Sequence, residues 1–197
     1  MTSWRAPIEQ TSAKKAEQIR SRNDIIAERK DKTCLGDLVF YWGLKQEITH
    51  TWFSIFDAKG NKSQTFYELQ SIWKNQSINS TCAPQVKYML VNNMGARDQL
   101  IYKPNELKQA EVFTEGEADS TLHFKWEIYE ENWDYKGAND KQKNAKKILG
   151  CFDSADGKKV SFTTPSIEGP YRIFSYIYDQ KGNFATTNSP FYVLNTK

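Results

Sequence analysis

From residue 84 onward the apolar positions recur every second residue, and before that point they do not. Leu122, Phe124, Trp126 and Ile128 alternate with His123, Lys125 and Glu127. Side chains on a strand point to opposite faces in turn, so this segment predicts a strand with one face in a core. Residues 85–91, about 110–114, 160–163, 171–178 and 184–193 read as further strands. The turn Asn92-Asn93-Met94-Gly95 closes the first of them. Asp179-Gln180-Lys181-Gly182-Asn183 joins the last two, and Gly182 can supply the positive φ that such a hairpin needs. Pro190 has no backbone N–H and predicts an edge position or a bulge. Short strands at turn-punctuated intervals around one Trp-bearing strand predict an all-β, immunoglobulin-like sandwich over residues 84–197.

Residues 1–80 follow a different rhythm. Pro7 imposes an extended lead-in, and Thr11 or Ser12 is the expected N-cap of a helix over residues 13–30. Ala13, Ala16, Ile19, Asn23, Ile26 and Ala27 share one face of it. Residues 38–42 are a continuous apolar run between Gly36 and Gly43, a pattern that predicts a strand buried on both faces, as in a parallel sheet. Asp57-Ala58-Lys59-Gly60-Asn61 reads as a turn, and a second helix is expected over 65–74 with Phe66, Leu69, Ile72 and Trp73 on its apolar face. The polar stretch 75–83 reads as an inter-domain linker. The expected fold class is therefore α+β in two parts: a partial α/β segment and an all-β sandwich. No internal repeat or low-complexity tract is seen.

Composition narrows the function classes. Net charge is +3, from 27 basic and 24 acidic residues, without a dense Lys/Arg block, so a nucleic-acid partner is not expected. Lys141, Lys143, Lys146 and Lys147 read as a solvated face. Three cysteines, Cys34, Cys82 and Cys151, have no zinc-like spacing, and only His50 and His123 could assist, so neither a metal nor another cofactor is expected. No run reaches the length of a membrane span, and no signal-peptide pattern precedes the first helix. The aromatic share of 14% suits both a large core and a surface on which flat rings stack against sugars.

The segment from Phe40 to Glu47 is the most suggestive candidate site. A strand end in an α/β fold is where ligands bind, so Trp42 is a candidate to stack on a sugar ring, with Lys45 and Glu47 to hydrogen-bond it, and Trp52 is taken with them as a substrate-binding candidate. The alternative is that Trp42 is core and that Lys45 and Glu47 form a solvated pair. Glycoside hydrolysis needs two carboxylates. Glu9 and Glu47 are conceivable partners that no spacing brings together, and Glu130 and Glu131 should face opposite ways at a strand end. Glu115, Glu117 and Asp119 form an acidic group without a strict metal-loop spacing. No catalytic residue is therefore assigned.

Three stretches carry a family resemblance. They are Trp4-Arg5-Ala6-Pro7-Ile8-Glu9-Gln10-Thr11-Ser12 with Lys15-Ala16; Cys34-Leu35-Gly36 through Phe40-Tyr41-Trp42-Gly43-Leu44-Lys45-Gln46-Glu47 with Thr49 and Thr51-Trp52-Phe53; and Gly169-Pro170-Tyr171-Arg172-Ile173-Phe174 with Asn188-Ser189-Pro190-Phe191-Tyr192-Val193. Together they resemble the C-terminal part of bacterial glycoside-hydrolase-like proteins, in which a family 2-type TIM barrel precedes a PKD- or immunoglobulin-like sandwich. The resemblance implies that 12–30 is a late barrel helix, 35–42 the last barrel strand and 65–75 the closing helix. It places the catalytic acids on strands upstream of Met1, so the chain would be an incomplete enzyme with an upstream barrel as partner and an extracytoplasmic location. The other readings are a carbohydrate-binding or adhesion module, presenting Trp133, Tyr135, Tyr176 or Tyr178, and a purely structural brace.

Overall fold

The structure is a computed structural model describing residues 1–28, 36–77, 81–116, 121–132 and 144–195. Its elements are α1 (Ser12–Glu28), α2 (Gln64–Lys74), β1 (Gln85–Val91), β2 (Ile101–Tyr102), β3 (Leu107–Glu115), β4 (His123–Glu130), β5 (Lys147–Ile148), β6 (Lys159–Thr163), β7 (Gly169–Tyr178) and β8 (Phe184–Val193). The strands form two sheets, one three-stranded in the order β1-β3-β6 and one five-stranded in the order β2-β8-β7-β4-β5. Val86, Met89, Val91, Val112, Val160 and Phe162 of the smaller sheet pack against Phe124, Trp126, Ile128, Ile173, Ile177, Phe191 and Val193 of the larger. This is a β-sandwich core built from alternate residues of both sheets, as the period of two predicts. Trp126 lies in its middle and donates its indole N–H to the Gly157 carbonyl at 2.8 Å.

Pro190 fits its strand for a topological reason. β8 pairs with β7 along its whole length, but β2 reaches only Tyr192 and Val193 on its other side. Pro190 therefore sits where one side of the strand has no ladder partner among the named strands. Farther along β8, Ser12 of α1 accepts the Thr186 N–H through its Oγ at 3.0 Å, so a side chain satisfies an edge donor there. Thr11 is the N-cap of α1: its Oγ1 accepts the Lys14 N–H at 3.2 Å.

β7 is buried on both faces, and this sets the position of the N-terminal part. Tyr171, Ile173 and Ile177 face the sandwich core. Arg172, Phe174 and Tyr176 face away from it and are buried as well, because residues from the first 60 positions lie over them. α2 is joined to α1 by the Arg20–Glu68 ion pair, with the Arg20 Nε to Glu68 Oε2 at 2.8 Å.

Residues 36–44 contain no strand, which corrects the expectation for 38–42. A strand buried on both faces needs neighbours to take up its backbone groups and cover its sides. None pairs with this segment, and Leu38 and Phe40 are 98% and 68% exposed. The described residues form no barrel or partial barrel; the single parallel pairing between named strands is the two-residue contact of β2 with β8. Cys34 and Leu35 lie outside the described residues.

Candidate functional site

An N-terminal strap crosses the outer face of the large sheet. Trp4 packs on Tyr192 of β8 with ring centroids 5.9 Å apart. The Pro7 carbonyl accepts from the Arg172 Nη2 at 2.6 Å. Glu9 then turns its carboxylate inward, where its side chain is 1% exposed. It accepts from Thr49 Oγ1 at 2.5 Å, Thr51 Oγ1 at 2.9 Å and Asn188 Nδ2 at 2.7 Å, and it forms an ion pair with Lys15. Lys15 also donates to the Thr51 carbonyl at 2.7 Å.

Arg172 is the counterpart on the sheet side. Its Nη1 donates to Asn188 Oδ1 at 2.6 Å, and its Nη2 lies 2.6 Å from Glu131 Oε1, both side chains being sealed from solvent. Glu9, Glu131, Lys15 and Arg172 thus put two carboxylates and two cations between the strap and the sheet. Their protonation tendencies diverge. Burial raises the Glu9 pKa, but the Lys15 charge, hydrogen bonds from Lys15 and Thr49 and the charge of Arg172 outweigh it, and the pKa is lowered. For Glu131 burial prevails over Arg172, and the Glu9 charge adds to it, so its pKa is raised.

His50 sits beside this cluster. Its ring is 4.5 Å from Phe174 and 4.8 Å from Tyr129, and its Nε2 hydrogen-bonds the Tyr176 hydroxyl. Burial lowers its pKa against the opposing charges of Glu9 and Glu127. Glu127 takes hydrogen bonds from Tyr129 at 2.9 Å and Lys147 at 2.6 Å, with Lys125 at 2.7 Å. Burial would raise its pKa, but hydrogen bonds from Lys125, Lys147 and Tyr129 hold it down at about 2.

These groups include a carboxylate pair and a histidine, the usual parts of acid–base chemistry. They are nevertheless bonded to one another and covered, so no reactant reaches Glu9 in this arrangement. The conceivable partnership of Glu9 with Glu47 is not formed: Glu9 is held by Lys15, Thr49 and Thr51, while Glu47 pairs with Lys45. Glu130 and Glu131 do part company. Glu130 meets Lys146 at the surface, and Glu131 is buried against Arg172. Tyr176 is buried under the strap side and Tyr178 is partly covered; Trp133 and Tyr135 lie outside the described residues. Glu115 pairs with Lys87, and Glu117 and Asp119 lie outside the described residues. Among the described residues no group of three or more His, Cys, Asp or Glu side chains could hold a metal ion.

The other candidate residues lie at the surface of the N-terminal part. Trp42 is 49% exposed and shares a ring cluster with Phe56 at 5.2 Å, Phe66 at 5.7 Å and Trp73 at 5.3 Å. Trp73 is itself 54% exposed. Lys45 forms an ion pair with Glu47 and lies 5.2 Å from the Phe40 ring and 5.9 Å from that of Tyr41. Trp52 is partly buried in the turn following Thr49. The structure thus gathers Trp42 with Trp73, and Lys45 with Glu47, Phe40 and Tyr41. A separate shallow groove, lined by Met94, Ile101, Lys103, Glu106 and Lys108, involves none of these residues.

Comparison with known proteins returns no family model and no curated protein that matches. Among solved structures the chain matches CopC from Methylosinus trichosporium OB3b, at 10% identity and a TM-score of 0.32, over 58% of this chain and 96% of that one. It also matches the PmoD soluble domain from Methylocystis sp. ATCC 49242 (Rockwell), at 12% identity and a TM-score of 0.33, over 58% of this chain and all of that one. The expected kinship with the C-terminal part of glycoside-hydrolase-like proteins is corrected, and the carbohydrate-active reading with it: the solved structures it matches are titled CopC and PmoD, and residues 36–42 do not form the strand on which the barrel reading rested.

Proposed function

We propose that this chain is a non-catalytic interaction module whose contact surface is the aromatic patch around Trp42 and whose partner is a protein surface. The observation that carries this reading is the exposure of Leu38, Phe40, Tyr41, Trp42, Leu44 and Trp73 on the N-terminal part. Large apolar side chains exposed together mark interaction sites, and Trp and Tyr contribute most where partners meet. Lys45, beside the Phe40 and Tyr41 rings, and its ion-pair partner Glu47 supply a charged rim. The acids and the histidine that could serve catalysis are committed to holding the strap, which agrees with a binding role rather than a chemical one. In this reading residues 1–80 carry the contact surface and residues 84–197 are its rigid support. Among the described residues no helix is long and apolar enough to cross a membrane.

Selection from a random peptide library displayed on phage tests the proposal. Peptides rich in apolar residues should be enriched on the wild-type chain, and their binding should be lost in the Trp42→Ser/Trp73→Ser variant but kept in Tyr88→Ser, which alters an exposed aromatic residue on the smaller sheet. Failure to enrich, or equal binding by the double variant, would overturn it.

A further inference from the structure

We propose that the Glu9 carboxylate is an acid-sensitive latch, which holds the strap of residues 4–12 against β7 and β8 at neutral pH and lets it lift when the carboxylate takes up a proton. The geometry points to this because Glu9 joins the strap to three other parts of the chain at once. It accepts from Thr49 and Thr51 of the loop before α2, pairs with Lys15 of α1 and accepts from Asn188 of β8. Arg172 of β7 grips the same Asn188 and the Pro7 carbonyl two residues before Glu9. Most of the remaining strap contacts are weaker ones, such as the Trp4–Tyr192 ring contact and the hydrogen bond of Ser3 N–H to Gln99 Oε1 at 2.7 Å.

The charges facing Glu9 explain the direction. They are Lys15 on α1, Arg172 on β7, Glu131 after β4, and His50, which is neutral at neutral pH, in the loop before α2. With both carboxylates ionised, Lys15 and Arg172 are balanced. Glu131, with its raised pKa, gives up its charge first as pH falls; Glu9 gives up its own last. Once both are neutral, the two cations face each other across a buried interface with no anion between them. A largely buried cation without its partner is unfavourable, and lifting the strap lets the part-buried Lys15 become fully hydrated. The sheet beneath has its own core between β-layers, which does not depend on the strap.

Hydrogen-exchange protection, measured residue by residue on the full chain from neutral pH down to about pH 3, below the ordinary carboxylate range, tests the latch. Wild-type protection at amides of residues 4–16 should fall about tenfold or more while amides of β4 and β7 keep theirs. Glu9→Gln preserves the shape but leaves Lys15 without its anion, so its strap should already be less protected than that of the wild type at neutral pH and change less on acidification. Strap protection that disappears only together with that of β4 and β7, or a Glu9→Gln variant that keeps the wild-type pH profile, would overturn the proposal. Should that variant not fold, the wild-type titration decides alone, since strap and sheet either part or do not.

Discussion

Asp57 and Asp179 hold their loops with the same set of hydrogen bonds. Asp57 Oδ1 accepts the N–H groups of Lys59 and Asn61, each at 2.8 Å, and its Oδ2 accepts from the Asn61 side chain at 2.7 Å. Asp179 Oδ1 accepts from Lys181 and Asn183, and its Oδ2 from the Asn183 side chain, at the same three distances. The loops lie side by side: Lys62 N–H donates to the Gly182 carbonyl at 3.2 Å, and Phe184 N–H to the Lys62 carbonyl at 3.0 Å. Tyr67 of α2 adds a hydrogen bond to Asn183 at 2.7 Å. The pair is a clasp between the N-terminal part and the sandwich. Asp57→Ala and Asp179→Ala should each cost about 1–3 kcal/mol, because hydrogen bonds to a charged acceptor are lost. Urea denaturation of the two single variants and the double should show coupling of about 0.5 kcal/mol or more; strict additivity would mean that the loops act independently.

Gly60 and Gly182 occupy matching places in the clasp, with φ of 83° and 79°. A side chain there is strained by its own backbone, since no backbone atom crowds either position. Alanine at either site is expected to lower stability by about 1 kcal/mol, and asparagine, which tolerates this conformation better, by less. Thermal unfolding of the two pairs of variants checks the order.

Trp126 tests the sandwich itself. Trp126→Ala removes a fully enclosed indole and leaves the Gly157 carbonyl without its donor, so a loss of about 3–5 kcal/mol is expected. Trp42→Ala, at the surface of the N-terminal part, should cost far less. Similar losses for the two would contradict the assignment of one to the core and the other to a contact surface.

The acid limb of stability has two identifiable contributors. Glu127 has a depressed pKa in the folded chain, so its contribution is present above its unfolded pKa, near 4.5, and is lost as pH falls toward about 2. His50 also has a lowered pKa. For a histidine this means that the unfolded chain takes up the proton first, so stability declines as pH falls below about 6.5 toward the folded value. Glu127→Gln should flatten the stability profile in the lower window and His50→Gln in the upper one, as read from urea midpoints across pH.

Much of the sandwich is legible in the residues. Phe124, Trp126 and Ile128 announce β4, and Gly182 announces the β7–β8 hairpin. The two-residue strands β2 and β5 are not legible, because two positions cannot display a period. The run 38–42 misleads because its apolar character is the same whether strands cover it or solvent meets it; only neighbours decide, and sequence does not supply them. The buried interface did leave a signal. In β7 the positions facing away from the core include Phe174, Tyr176 and Tyr178, too apolar for a wet face, and Arg172 among them requires a partner. The repeated Asp-x-Lys-Gly-Asn of 57–61 and 179–183 was the other signal, too short to register as an internal repeat. Glu9 itself carries no local mark of its role, since its partners come from positions 15 to 188.

The surface around Trp42 is the proposed contact with a partner protein. Isothermal titration of the strongest phage-selected peptide against the wild type and against Trp42→Ala/Trp73→Ala measures it most directly. A loss of about 2 kcal/mol or more, roughly thirtyfold in affinity, is expected, with the far-ultraviolet circular dichroism of the chain unchanged. Equal affinities for the two proteins would place the contact elsewhere and contradict it.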